Sequence, residues 1–361
     1  IDNVGRISEI ISSTDSVAGD DLYLSIDADL QKATYLALQN EIAAIVYSNI
    51  KSGEIPINDV YTALIGNSVI NTEHFSKAKA SDTEKNVLSV FKSRQKTTLG
   101  KIKQELTSSP EALNTMSDEV LDEFTYIISM LKDDQVLLKN EIDTSDSVYQ
   151  KWKNQKISPK EYLSYCITQH WIDISQLNVD EKYADSTEVY DALCKYILKN
   201  IKTDTEFSKI IYQYMITRGE ISPRQLCLIL FDQGVLDYDD ATVNKLKNGS
   251  LSPRDFLMKK IYNIEITPAQ LALEPCTGSC VVTDEKTGEI RAMVSYPGYD
   301  SNKLANGVDS EYFASLQHDK SSPLLNYATQ QKTAPGSTFK LVSATAGLVE
   351  NVITTSDQIR C

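Results

Sequence analysis

From about residue 48 to residue 265 the chain reads as an unbroken succession of helices, and that block limits every fold available to it. Asn86 to Leu106, Glu119 to Leu138 and Val189 to Ile201 carry apolar residues at helical spacing, while glycine is sparse and strand-like alternation is hard to find. One start signal recurs. Ile157-Ser158-Pro159-Lys160-Glu161, Ile221-Ser222-Pro223-Arg224-Gln225 and Leu251-Ser252-Pro253-Arg254-Asp255 share one form, with Ile266-Thr267-Pro268-Ala269-Gln270 a fainter copy. A Ser or Thr hydroxyl accepts from the first free backbone N–H groups of a helix, and proline at the first helical position loses no hydrogen bond. The preceding Ile or Leu can staple onto the first turn. A solenoid binding surface is the alternative. The copies lie too irregularly along the chain for that, so repeated helix-start chemistry is the better account.

Both flanks have a different texture. Val4 to Ile11 and Leu22 to Ile26 are apolar at alternate positions and predict strands, with Asp27 placed to cap a helix from Ala28 to about Tyr47. After Pro275, Ser279 to Asp284 and Glu289 to Ser295 again read as strands, joined by a Glu285-Lys286-Thr287-Gly288 hairpin turn with glycine where φ is positive. A loop with Pro297, Gly298 and Asn302 follows, and Gly336 to about Glu350 predicts a helix with small and apolar residues on an inner face. The fold class expected is α+β, interrupted by a mainly α-helical inserted domain. Residues 1–47 and 266–361 form the split domain and residues 48–265 the insertion, which a surface loop tolerates because a longer loop costs little extra closure entropy.

Composition narrows the function. With 36 Lys and Arg against 50 Asp and Glu the net charge is −14, the opposite of the basic face that phosphate binding requires, so a nucleic-acid partner is not expected. The 41% apolar content supplies ample core, and no stretch approaches the length of a membrane span. Six cysteines are scattered without a CxxC pair, and His74, His170 and His318 lie far apart, so a zinc site is not expected. Cys276 and Cys280 are near enough to consider a disulfide, although Cys280 reads equally as a small apolar residue of its strand.

The chemistry is in Ala334-Pro335-Gly336-Ser337-Thr338-Phe339-Lys340. Pro335 and Gly336 make a tight entry into a helix, and Ser337 and Lys340, three apart, lie on one face of it. The positive end of the helix favours an alkoxide, and a desolvated lysine can take the serine proton. Spacing alone is weak evidence, because Ser48/Lys51, Ser76/Lys79, Ser89/Lys92, Ser93/Lys96 and Ser129/Lys132 repeat it and read as solvated helix faces. Only Ser337 joins the turn, the helix start and a following apolar helix.

Pro335-Gly336-Ser337-Thr338-Phe339-Lys340 resembles the active-site serine motif of the penicillin-binding transpeptidases of the monofunctional (class B) type. Leu22 to Gln31 resembles the strand and first helix that open that domain, with the end of an N-terminal pedestal region before it. Val281 to Ile290 resembles its first hairpin, and Ser295 to Asp300 and Pro323 to Ala328 resemble the segments leading to the serine. The resemblance covers residues 1–47 and 275–361 and not the helical block. The family uses SxxK, then SxN, then KTG. After Lys340 this sequence has neither of the last two, and Lys286-Thr287-Gly288 precedes the serine and reads as turn chemistry.

The resemblance implies D,D-transpeptidation of peptidoglycan stem peptides through an acyl-enzyme on Ser337, with Lys340 as base and no cofactor or metal. β-Lactam antibiotics would acylate the same serine. The expected setting is the outer face of the bacterial cytoplasmic membrane, with an anchor ahead of Ile1. The chain itself is expected to hold only the nucleophile half of the site and to be nearly inactive in isolation. Competing readings are a β-lactam sensor or serine β-lactamase, and a non-catalytic scaffold whose helical insertion recruits cell-wall synthesis or division proteins.

Overall fold

The computed structural model describes residues 19–108, 111–177, 179, 185–305 and 307–358. The strand expected at Val4 to Ile11 lies outside them. Helix α1 (Ala28–Ser52) opens on Asp27, whose carboxylate accepts from Leu30 N–H at 3.0 Å, and closes on Gly53 in the left-handed region. It runs past the expected end near Tyr47. There follow α2 (Ile57–Gly66), α3 (Asp82–Thr107), α4 (Asp118–Asp133), α5 (Ser147–Lys153), α6 (Pro159–Thr168), α7 (Ser186–Ile201) and α8 (Thr205–Thr217). Then come α9 (Pro223–Asp232), α10 (Asp240–Asn248), α11 (Pro253–Tyr262) and the short α12 (Pro268–Leu271).

The recurring start signal opens α6, α9, α11 and α12, each with proline in its first turn and the Ser or Thr oxygen accepting from the third residue's N–H. At α9 and α12 a glutamine reaches back to complete a capping box. At α6, α9 and α12 the residue before the cap and the fourth residue of the helix (Ile157 and Tyr162, Ile221 and Leu226, Ile266 and Leu271) are buried, the positions a hydrophobic staple joins, whereas at α11 Leu251 is half-buried over a buried Phe256. One apolar core runs through the block from Val46 to Leu271.

A polar cluster interrupts that core. Arg94 on α3 donates to both carboxylate oxygens of Glu119 on α4, at 2.7 and 2.8 Å, and Arg218 reaches the same carboxylate at 2.6 Å. Glu220 lies 3.5 Å from Arg94. Glu123, one turn along α4 and 2% exposed, has no hydrogen-bond or ion-pair partner among the described residues. Burial first, and the Glu119 charge second, push its carboxyl up to about 8.

Beyond the block, β1 (Gly278–Thr283) and β2 (Ile290–Tyr296) form a two-stranded antiparallel sheet in which Gly278 faces Tyr296 and Val282 faces Ala292. The turn between them is held by Asp284, whose carboxylate accepts from Lys286 and Thr287 N–H at 2.8 and 3.0 Å. Gly288 takes φ +76°, so Lys286-Thr287-Gly288 is turn chemistry here. Cys276 and Cys280 are both free thiols, Cys280 within β1. Helix α13 (Ser310–His318), the single turn α14 (Tyr327–Gln330) and α15 (Phe339–Val349) complete the described chain.

Helix α1 belongs to both parts. Its first half lies on the sheet, where Tyr35 packs on Tyr296 with ring centroids 5.6 Å apart, and a Cβ on Gly278 would meet Ile42 and Leu38. Its second half, from Val46 to Ile50, enters the helical core. The strand expected at Leu22 to Ile26 does not form. Ser25 Oγ donates to Ile290 O at 2.7 Å and Asp27 N–H to Arg291 O at 2.9 Å, so the segment meets the edge of β2 but builds no ladder on it. Leu22, Tyr23 and Leu24 find no apolar surface and are largely exposed. Alternation marks a strand only where a partner strand covers it.

Candidate active site

The serine turn is set by local chemistry. Gly336 takes φ +59°, a conformation that glycine adopts without a Cβ clash, directly after Pro335. Residues Gly336–Thr338 form a 3₁₀ turn, pinned by Thr338 Oγ1 donating to Pro335 O, and α15 continues from Phe339. Ser337 therefore sits in the turn just ahead of the α-helix and Lys340 in that helix's first turn. Both side chains are exposed, and neither has a hydrogen-bond or ion-pair partner among the described residues.

The inner face expected for this helix is not covered. No residue of α15 is buried, and Leu341 and Val349 are 77% and 70% exposed. The apolar side of the hairpin (Ala292, Val294 and Tyr296) is already taken by α1, so it offers α15 no surface. By exposure Ser337 and Lys340 do not differ from the decoy pairs, whose serines are exposed too. What sets the pair apart is the turn.

The hairpin is better anchored. Gln31 Nε2 donates to Met293 O at 2.6 Å, while Met293 N–H donates to Gln31 Oε1 at 2.8 Å. The side-chain amide thus acts as a one-residue strand partner on the outer edge of β2. Ser295 Oγ donates to Asn326 Oδ1 and accepts from Ala328 N–H, each at 3.2 Å, which ties α14 to the sheet.

Residues 278–361 match the family model of the penicillin binding protein transpeptidase domain. The likeness to that family lies in this C-terminal segment. Among similar curated proteins, the peptidoglycan D,D-transpeptidase PbpA of Mycolicibacterium smegmatis is 44% identical over 77 residues, covering 20% of this chain and 16% of that protein. The peptidoglycan D,D-transpeptidase MrdA of Haemophilus influenzae is 43% identical over 82 residues, 23% of this chain and 13% of its own length. MrdA of Escherichia coli K12 is 43% identical over 74 residues, 20% of this chain and 12% of its own. The matched stretch therefore spans less than a fifth of each of these transpeptidases, and no solved structure matches the chain. No described helix is long and apolar enough to cross a membrane, and the described residues hold no cluster of metal-ligating side chains.

Sequence reasoning passed over one feature near the hairpin. Tyr35 of α1 meets Tyr299, Asp300 and Tyr312 around a cavity of about 430 Å³. Its parts lie more than 260 residues apart along the chain, so no local pattern announces it.

Proposed function

We propose that the protein from which this chain comes is a penicillin-binding D,D-transpeptidase that cross-links peptidoglycan stem peptides. Ser337 Oγ attacks the carbonyl of the penultimate D-alanine, and Lys340 takes its proton. The terminal D-alanine leaves, protonated at nitrogen, and Ser337 carries the acyl group as an ester. An amine from a neighbouring stem peptide then attacks that ester, forming the cross-link and returning the proton to Ser337. β-Lactams react at the same oxygen because their strained ring presents a similar amide. The active site faces the cell wall, outside the cytoplasmic membrane.

One observation carries the reading. The family match is a single run from Gly278 through Ser337 and Lys340, so hairpin and serine turn fall in one continuous piece of transpeptidase-domain sequence. The serine turn supports it locally, because it brings the hydroxyl to the mouth of a helix where positive partial charge favours the attacking oxyanion. We assign the helical block, residues 48–265, to an inserted domain that spaces the site or meets cell-wall partners.

A lysine serves as base only when its ammonium is stripped of water, and Lys340 in this chain is exposed. An oxyanion site also needs a second donor beside the serine N–H. Transpeptidation therefore requires groups beyond those assembled around Ser337 here, and the isolated chain is expected to acylate weakly at most. The deciding experiment labels the full-length parent with a fluorescent penicillin, as wild type and as Ser337→Ala. Labelling is expected to vanish in the variant. Equal labelling of the two would sink the assignment, and rapid hydrolysis of the bound drug would point to a β-lactamase.

A further inference from the structure

The cavity bounded by α1, the loop after β2 and α13 has an unusual set of hydrogen-bonding groups. Tyr35 Oη accepts from Gly298 N–H at 3.4 Å, and Tyr312 Oη accepts from Asp300 N–H at 2.7 Å. Among the described residues neither phenol donates to another group, so both hydroxyl hydrogens are free. Tyr299, 46% exposed, adds a third free phenol. The Asp300 carboxylate holds Asn302 through one oxygen, which takes the Asn302 backbone and side-chain N–H groups at 3.0 and 3.1 Å. Its other oxygen has no described partner and is left as an acceptor. Gln31 and Ser295 also line the wall, but their polar atoms are committed to Met293, Asn326 and Ala328, so they shape the cavity.

We propose that this cavity is a saccharide-binding site that takes an N-acetylated sugar of a glycan chain. A pyranose offers what the lining asks for: acceptor oxygens for the phenol hydrogens, hydroxyl donors for Asp300, and an apolar C–H face to lie on an aromatic ring. The volume of about 430 Å³ is within the range of small-molecule sites. Other ligand classes fit worse. A free cation would have to compete with the Lys303 ammonium, which already stands 4.6 Å from the Tyr312 ring centroid. An anion would meet the Asp300 carboxylate. The choice of an N-acetylated glycan rests on the cell-wall reading above, since peptidoglycan strands are built of such sugars. The site itself rests on its lining.

The test is calorimetric titration of the full chain with tetra-N-acetylchitotetraose, a β-1,4-linked N-acetylglucosamine tetramer. Saturable binding is expected, weakened about tenfold by Tyr299→Ala through loss of one stacking ring. Tyr312→Phe keeps its ring and loses its hydroxyl, and is expected to weaken binding about threefold. Tyr238→Ala, at an exposed tyrosine of the helical block, should leave binding unchanged. Because Tyr299 is half exposed its loss spares the fold, which circular dichroism of the variant checks. Absence of saturable binding at millimolar tetramer overturns the proposal, as does binding indifferent to Tyr299→Ala. Butylammonium binding in place of the tetramer would make the cavity a cation cage instead. Penicillin labelling of Ser337 is read separately. Labelling without sugar binding removes this site and leaves the transpeptidase reading, and sugar binding without labelling does the reverse.

Discussion

The helical block and the segment that carries Ser337 are built on opposite terms. The block closes its own core: Phe124, Tyr162, Phe207 and Leu230 are fully buried, and most of its helices, α2 and α4 apart, begin on side-chain caps that satisfy free N–H groups locally. Helix α15 closes nothing. It is a well-formed helix whose apolar residues face solvent, and an apolar helix face is stabilised chiefly by what covers it. Yet the match to a known family lies in the second region. A family is recognised by the sequence of a segment, and here that segment includes the exposed apolar residues of α15. Self-sufficient packing is satisfied by many sequences.

That contrast can be broken, and the sharpest tool is a cavity in the block. Phe124→Ala, at a fully buried position of α4, is expected to cost about 3–5 kcal/mol in chemical denaturation of the chain. A loss below about 1 kcal/mol would mean that the block is not packed as a core.

The next tool is pH. Glu123 holds its proton up to about 8 when folded, whereas an unfolded glutamate releases it near 4.5. The unfolded state therefore loses its proton first, so stability falls as pH rises through that window, by up to roughly 5 kcal/mol. Below the window the contribution is whole, and above it nothing more is lost. Glu123→Gln should flatten the decline. A stability profile over pH 5–8 identical in variant and wild type would remove Glu123 from the account.

The gentlest probe lies in the other region. Leu341→Ala, at a side chain 77% exposed, should change stability by no more than about 0.5 kcal/mol. A large loss there would show that α15 is covered after all, and the two regions would no longer differ in kind.

Much of the fold was legible where its causes are local. Ser158, Ser222, Ser252 and Thr267 cap helices because hydroxyl, proline and the third-residue N–H lie within five residues of one another. Asp284 and Gly288 fix the hairpin turn for the same reason. Leu22 to Ile26 misled because alternation states a preference for a pleated surface, and the partner strand that would honour it is not among the described elements. Glu119 and Glu123 could have been noticed, four apart and on the same stripe as Ile127 and Leu131, where a carboxylate is out of place. The Ser337 turn was read from Pro335 and Gly336. The tyrosine cavity was not, since it exists only once α1 meets a loop far along the chain.

Helix α1 gives the two regions one more relation. Its 25 residues make a rod of roughly 37 Å, seated at one end in the helical core and tied at the other to the edge of β2 by the Gln31 amide. Such a rod turns as a unit. A pull on the helical block would reach the sheet along this helix, through the Gln31–Met293 pair, the Asp27–Arg291 bond and the Tyr35–Tyr296 contact together.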